Sequence, residues 1–220
     1  MRLVVFDMDG TLIDTHELIT EHTARTFVSL GLPEPTPAEA RSVIGLSLEV
    51  ALGRLAKSTD AALIDKLVTQ YRANYRESLA QSSDREPLYP GARSALDRLR
   101  VAPDTLMGIA TGKGLNGVNR ILGQHGLAEH FVTLQTPDHN PSKPHPGMLL
   151  RAMAETGADA GETVMVGDTV FDIELAKAAR TRSIGVTWGY HDPRDLIAAG
   201  AGAIIESYDD LDAAVARVLE

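Results

Sequence analysis

Two carboxylates, Asp7 and Asp9, stand one residue apart and run into Gly10-Thr11-Leu12. On a tight, glycine-assisted turn, one such acid can attack phosphorus while the other handles the leaving group's proton. Two more acids, Asp168 and Asp172, frame the run Gly167-Asp168-Thr169-Val170-Phe171-Asp172. Thr111-Gly112-Lys113 offers a hydroxyl and backbone N–H groups, and Ser142-Lys143-Pro144 offers a cation. Gathered in one place and ionised, the four aspartates outweigh Lys143 by three charges. Like charges about 4 Å apart repel by roughly 4 kcal/mol at intermediate dielectric, so a phosphate dianion would be turned away. A divalent cation and a proton on Asp9 bring the balance to zero. With only oxygen ligands and no sulfur, that cation is expected to be Mg²⁺.

The elements that must position these groups are legible as apolar runs. Leu3–Phe6, Leu106–Ala110, Val132–Leu134, Val164–Val166, Ile184–Trp188 and Ala203–Ile205 read as buried strands. Their continuous rather than alternating apolar character predicts a parallel sheet covered on both faces. Helices are expected over Ala92–Arg100, Leu115–His125, Gly147–Thr156, Ile173–Arg180 and Tyr208–Leu219. Gly126 and Gly157 would stop two of them, and Ser207 and Asp210 would start the last with a capping box. Asp168 and Asp172 would double as N-cap and first-turn residues of the helix after Val164–Val166. Alternating strand and helix predicts a doubly wound α/β, Rossmann-like core. In such sheets ligands bind beyond the carboxyl ends of the strands, where Asp7, Thr111 and Asp168 all fall.

One stretch breaks the rhythm. From Thr15 to about Arg85 only helical periodicity is found: Thr15–Leu30 ending at Gly31, a capping box at Thr36-Pro37-Ala38-Glu39, then Ser47–Lys57 and Asp60–Gln81. This predicts an all-helical cap (15–85) inserted into a core of residues 1–14 and 86–220, with the polar run from Gln81 to Pro87 as the return linker.

In order along the chain, D-x-D-G-T-L, an apolar strand ending in Thr, Lys-Pro and G-D-x-x-x-D resemble the motifs of the haloacid dehalogenase superfamily. The likeness is to its phosphoglycolate-phosphatase-like branch, whose helical cap follows the first motif. The resemblance implies that Asp7 is the nucleophile and carries an aspartyl-phosphate, while Asp9 protonates the departing alkoxide and then deprotonates the hydrolytic water. It implies that Asp7 and Asp168 give carboxylate oxygens to Mg²⁺, Asp9 its backbone carbonyl, and Asp172 support directly or through water. Thr111 and the neighbouring backbone at Gly112 would hold the phosphoryl oxygens, and Lys143 would neutralise nucleophile and phosphate. The substrate implied is a small phosphorylated metabolite, with phosphoglycolate the first guess.

Departures from the pattern carry information too. Gly112 stands where the family often has Asn. Asp9 counts against a true dehalogenase or a phosphonate-cleaving hydrolase. Leu48 in Gly45-Leu46-Ser47-Leu48, and Gly167 before Asp168, count against a phosphoglucomutase-like transferase. A non-catalytic binding protein on the same fold would have lost a nucleophile or metal ligand, and none is missing. His139 and His145 read as solvated loop residues, Trp188 as packing beside Tyr190 and His191, and Arg41, Arg54 and Lys57 as a solvated helix face.

The chain as a whole sets the outer bounds. Its 220 residues suit a core plus a smaller insertion, and 44% hydrophobic with 23% charged residues is ordinary for a globular protein. A formal charge of −9 argues against nucleic-acid binding. With no cysteine, thiolate chemistry and disulfides are excluded. No apolar run reaches membrane-spanning length, and Leu3-Val4-Val5-Phe6 reads as a strand rather than a signal peptide, so a cytoplasmic enzyme without membrane partners is expected.

Overall fold

Leu3, Val4, Val5 and Phe6 are all at 0% exposure, so the strand they form, β1 (Arg2–Phe6), needs cover on both faces. The computed structural model describes residues 1–81 and 86–220. Within them β1, β2 (Thr105–Ala110), β3 (Thr133–Gln135), β4 (Thr163–Gly167), β5 (Arg182–Val186) and β6 (Ala203–Ile205) form one sheet, every pairing parallel, in the order β3-β2-β1-β4-β5-β6. The chain fills one side of β1 and then crosses to β4 on the other, which is the point where this topology opens a crevice. Phe6 is level with Ile109 of β2 and Val166 of β4. The segments following these three strands therefore leave the sheet side by side.

Between β1 and β2 come α1 (His16–Ser29), α2 (Pro37–Ser42), α3 (Leu48–Leu55) and α4 (Ala61–Gln81). They pack around Phe27, Leu52, Leu67, Val68 and Tyr71, a cluster separate from the core of the sheet. The expected capping box is made: the Glu39 N–H donates to Thr36 Oγ1 at 3.2 Å and the Thr36 N–H to Glu39 Oε2 at 2.8 Å. Helix ends fall one or two residues inside the expected bounds because Ser47 and Thr15 serve as N-caps. Of the expected return linker, residues 82–85 lie outside the described residues. Beyond them the Asp14 N–H donates to the Pro87 carbonyl, tying the two crossings together.

Alternate residues of β1 serve opposite faces. Val4 and Phe6 pack with α5 (Ala92–Val101), α6 (Leu115–Gln124) and α10 (Leu211–Leu219). Leu3 and Val5 pack with α7 (Gly147–Thr156) and α8 (Val170–Ala179). Several boundaries differ from expectation. Trp188 lies past β5, which ends at Val186, and β3 begins at Thr133 because Val132 turns outward at 57% exposure. The helix expected from Ile173 starts at Val170, capped by Thr169. The capping box at Ser207 is not made: Ser207 Oγ accepts from the Asp209 N–H at 3.0 Å, and a 3₁₀ turn over Tyr208–Asp210 precedes α10. One helix went unread, α9 (Pro193–Ala199), although Asp192 caps it, Pro193 opens it and Gly200 at φ +102° closes it. Among the described residues no helix is long and apolar enough to cross a membrane.

Candidate active site

Asp7, Asp168 and Asp172, at most 1% exposed, bring carboxylate oxygens within 4.8 Å of one another. Each is fixed by its element. Asp7 continues the β1 ladder, its N–H donating to the Val166 carbonyl at 3.0 Å. Asp168, just past β4, accepts from Thr11 Oγ1 at 2.8 Å and from the Tyr190 N–H at 3.0 Å. It is not the cap of α8, as expected; Thr169 takes that place and leaves Asp168 facing the cluster. Asp172 lies in the first turn of α8, where its Oδ2 accepts from both the N–H and the hydroxyl of Thr169. Its Oδ1 accepts from Lys143 Nζ at 2.6 Å, and the same ammonium lies 2.9 Å from Asp7 Oδ2. Gly10, at φ +81°, makes this approach possible: a Cβ there would stand 2.3 Å from Asp168 Oδ2.

Burial decides the electrostatics. It pushes the Asp7 carboxyl up to about 7 against the pull of Lys143, with Asp172 and Asp9 adding to the rise. Burial, then Asp172 and Asp7, hold Asp168 well above the usual carboxylate range. Lys143 loses to burial but gains more from Asp172 and Asp7, and stays charged. One lysine does not balance three buried carboxylates, and an all-oxygen donor set of this kind fits a hard divalent cation.

Asp9 faces the other way. Its Oδ1 accepts from Thr15 Oγ1 at 2.7 Å and lies 3.2 Å from Lys113 Nζ. Lys113 continues the line to α4, donating at 3.4 Å to Tyr75 Oη, which donates to Glu86. Arg120 grips Glu86 with two nitrogens, at 2.5 and 2.9 Å. Burial alone would lower Lys113, but Asp9 and Glu86 outweigh it and raise its pKa. Lys113 thus brings to the site a second positive charge that the sequence balance did not count.

Thr111 is buried at the end of β2, its hydroxyl accepting from the Lys113 N–H at 3.2 Å. Its own N–H is spent on the Gln135 carbonyl, so of the two only the hydroxyl faces the site. Asp7, Asp9, Thr111, Gly112 and Lys113 line one side of a cavity of about 770 Å³, with residues of α3 and α4 on the other. The loop before α3 rests directly on Gly112, where a Cβ would lie 2.2 Å from the Leu46 carbonyl oxygen. An asparagine would not fit beneath that loop, which explains the departure at this position. The Ser47 N–H donates to Ser142 Oγ at 2.8 Å on the other side of the loop.

His139 and His145 are exposed, as expected. Trp188 packs on Tyr208 with ring centroids 4.7 Å apart and donates to the Thr11 carbonyl. Arg41 sits beside His16, Arg54 lies over the Phe171 ring, and Lys57 is exposed, so none of the three reaches the cavity. Arg72, Arg76 and Tyr71 on α4 do line it, together with Tyr75. Sequence reasoning missed them because an amphipathic helix does not show which turn meets a second domain. It also assigned no role to Lys113, whose place two residues after Thr111 was the available signal.

Residues 4–186 match the family model described as haloacid dehalogenase-like hydrolase. The chain is 36% identical over 99% of its length to a Dickeya dadantii protein named "Probable phosphatase IndB", covering 95% of it. It is 33% identical over 96% of its length to the phosphoglycolate phosphatase of Vibrio parahaemolyticus, covering 94% of it. The crystal structure of a hydrolase from Pseudomonas syringae superposes with a TM-score of 0.86, covering 99% of each chain at 24% identity. A doubly wound sheet, four acidic side chains at its switch point and these likenesses agree: the chain belongs to the haloacid dehalogenase-like hydrolases, in the phosphoglycolate-phosphatase-like branch, and is a phosphoric monoester hydrolase.

Proposed function

We propose that the enzyme hydrolyses a small phosphorylated metabolite with Mg²⁺, through a phosphoryl group carried on Asp7. The observation that supports this most is the buried triad of Asp7, Asp168 and Asp172 with one lysine for three acids. Asp7 and Asp168, with the Asp9 backbone carbonyl, are the groups offered to the metal. Asp172 has one oxygen on Lys143 and the other on Thr169, so its part is to hold Lys143 and meet the metal through water. When bound, Mg²⁺ would neutralise the pocket and polarise the phosphoryl oxygens.

In the first step an Asp7 oxygen attacks phosphorus, the ester P–O bond breaks, and Asp9 gives its proton to the departing alkoxide. In the second, Asp9 takes a proton from water, the water oxygen attacks phosphorus, and inorganic phosphate leaves with Asp7 restored. Lys143 holds Asp7 Oδ2 and the Met8 N–H holds Oδ1 at 2.6 Å, which orients the nucleophile in both steps. The Thr111 hydroxyl and the backbone at Gly112 are placed to receive phosphoryl oxygens. Residues 15–85 act as the cap of a core made of 1–14 and 86–220, opening to admit the ester and closing to exclude water.

Turnover of phosphoglycolate and of a generic aryl phosphate, with Mg²⁺ and with chelator, tests the reading. Release that requires the metal and is lost in Asp7→Asn supports it; release by Asp7→Asn at the native rate contradicts it.

A further inference from the structure

We infer that the ester cleaved at the site proposed above has a ring-bearing alcohol of about nucleoside size, with an apolar or aromatic face turned to the cap. This rests on the phosphatase reading and concerns what fills the cavity beyond the phosphate. A volume of about 770 Å³ falls within the roughly 300–1,000 Å³ of pockets that enclose drug-sized ligands. A two-carbon phosphorylated acid would leave most of it empty.

The loop before α3 is already seated on the core, its Leu46 carbonyl against Gly112 and its Ser47 N–H on Ser142. Arg54 at the end of α3 lies 5.5 Å from the centre of the Phe171 ring on α8. What remains between cap and core is the space left when these contacts are made.

Part of its wall is apolar. Ile19, Ala51, Leu52, Leu55, Leu79 and Tyr71 face it from α1, α3 and α4. Three of its cations are engaged, Lys113 against Asp9, Arg120 on Glu86 and Arg72 on Glu49; the fourth, Arg76, is exposed and has no ion-pair partner among the described residues. The carboxylate of phosphoglycolate would rely on Arg76 or compete for one of the engaged cations, whereas a neutral ring needs none of them. Burying one ring face favours the larger ester by about 10- to 100-fold in kcat/KM.

The test compares kcat/KM of the wild-type, Mg²⁺-loaded protein for nucleoside 5′-monophosphates, naphthyl phosphate, glucose 6-phosphate and phosphoglycolate. A parallel series uses Ala51→Phe, which fills the apolar wall contributed by α3. A ring-bearing ester favoured over phosphoglycolate, with the preference erased by Ala51→Phe, supports the inference. Phosphoglycolate hydrolysed as well as or better than every ring-bearing ester overturns it while the phosphatase reading stands. Equal losses on all esters in Ala51→Phe also overturn it. Failure to hydrolyse any ester would instead remove the reading on which it rests.

Discussion

The Asp7 carboxyl makes the metal-free enzyme pH-sensitive in a direction that exposes its purpose. Burial pushes the Asp7 carboxyl up to about 7 in the fold, against an ordinary carboxylate value of 3.8 in the unfolded chain. Between those values the folded protein holds a proton that the unfolded chain has lost, so stability falls as pH rises through that window. The full effect is about 3 pH units at 1.36 kcal/mol each, or about 4 kcal/mol, and about half of it remains at pH 5.5. Asparagine mimics the protonated side chain. Asp7→Asn, inactive as a phosphatase, is therefore expected to be more stable than wild type in chelator at pH 8 by about 4 kcal/mol. In urea that is a midpoint shift of roughly 1–2 M, shrinking toward zero by pH 4. Saturating Mg²⁺ should narrow or reverse the order, since a ligand at 100 times its Kd stabilises wild type by about 2.7 kcal/mol. A variant no more stable than wild type at pH 8 without metal, or a gap that ignores pH, would refute the electrostatics of the triad.

Three further outcomes follow from other contacts. Lys143→Met removes the one cation touching Asp7 and Asp172, and should cost 10²-fold or more in kcat (about 3 kcal/mol) with little change in secondary structure by circular dichroism. Glu86→Gln strands Arg120 and loosens Tyr75; urea unfolding should show a loss of about 2–4 kcal/mol, less than for a fully buried pair because Arg120 is 36% exposed. Gly112→Asn drives a side chain into the Leu46 carbonyl, so hydrogen exchange over residues 43–48 should quicken and KM should rise.

The core was legible because fully buried parallel strands are continuous apolar runs, and Leu3–Phe6 or Val164–Val166 admit no other reading. Asp7, Thr111 and Asp168 directly follow such runs, so their position at one rim could be expected from the sequence. Pairings that depend on side-chain direction could not. Nothing in Thr15, Lys113 or Tyr75 announces that they share a line with Asp9, because they come from three separate segments that only the folded chain brings together. α9 was missed for a different reason: its seven residues bury mainly Leu196, too little for an apolar period to show. The tight fit of Gly112 under Leu46 turned an apparent departure from the family pattern into a steric requirement.

The central claim is that a carboxylate of the enzyme itself carries the phosphoryl group between two half-reactions. Acid quenching during turnover with Mg²⁺, borohydride reduction of the trapped acyl phosphate and peptide mass mapping test it directly. The account predicts a residue reduced to homoserine at position 7 and nowhere else. Steady hydrolysis with Asp7 unlabelled at every quench time, or a label on Asp9 or Asp168, would contradict it.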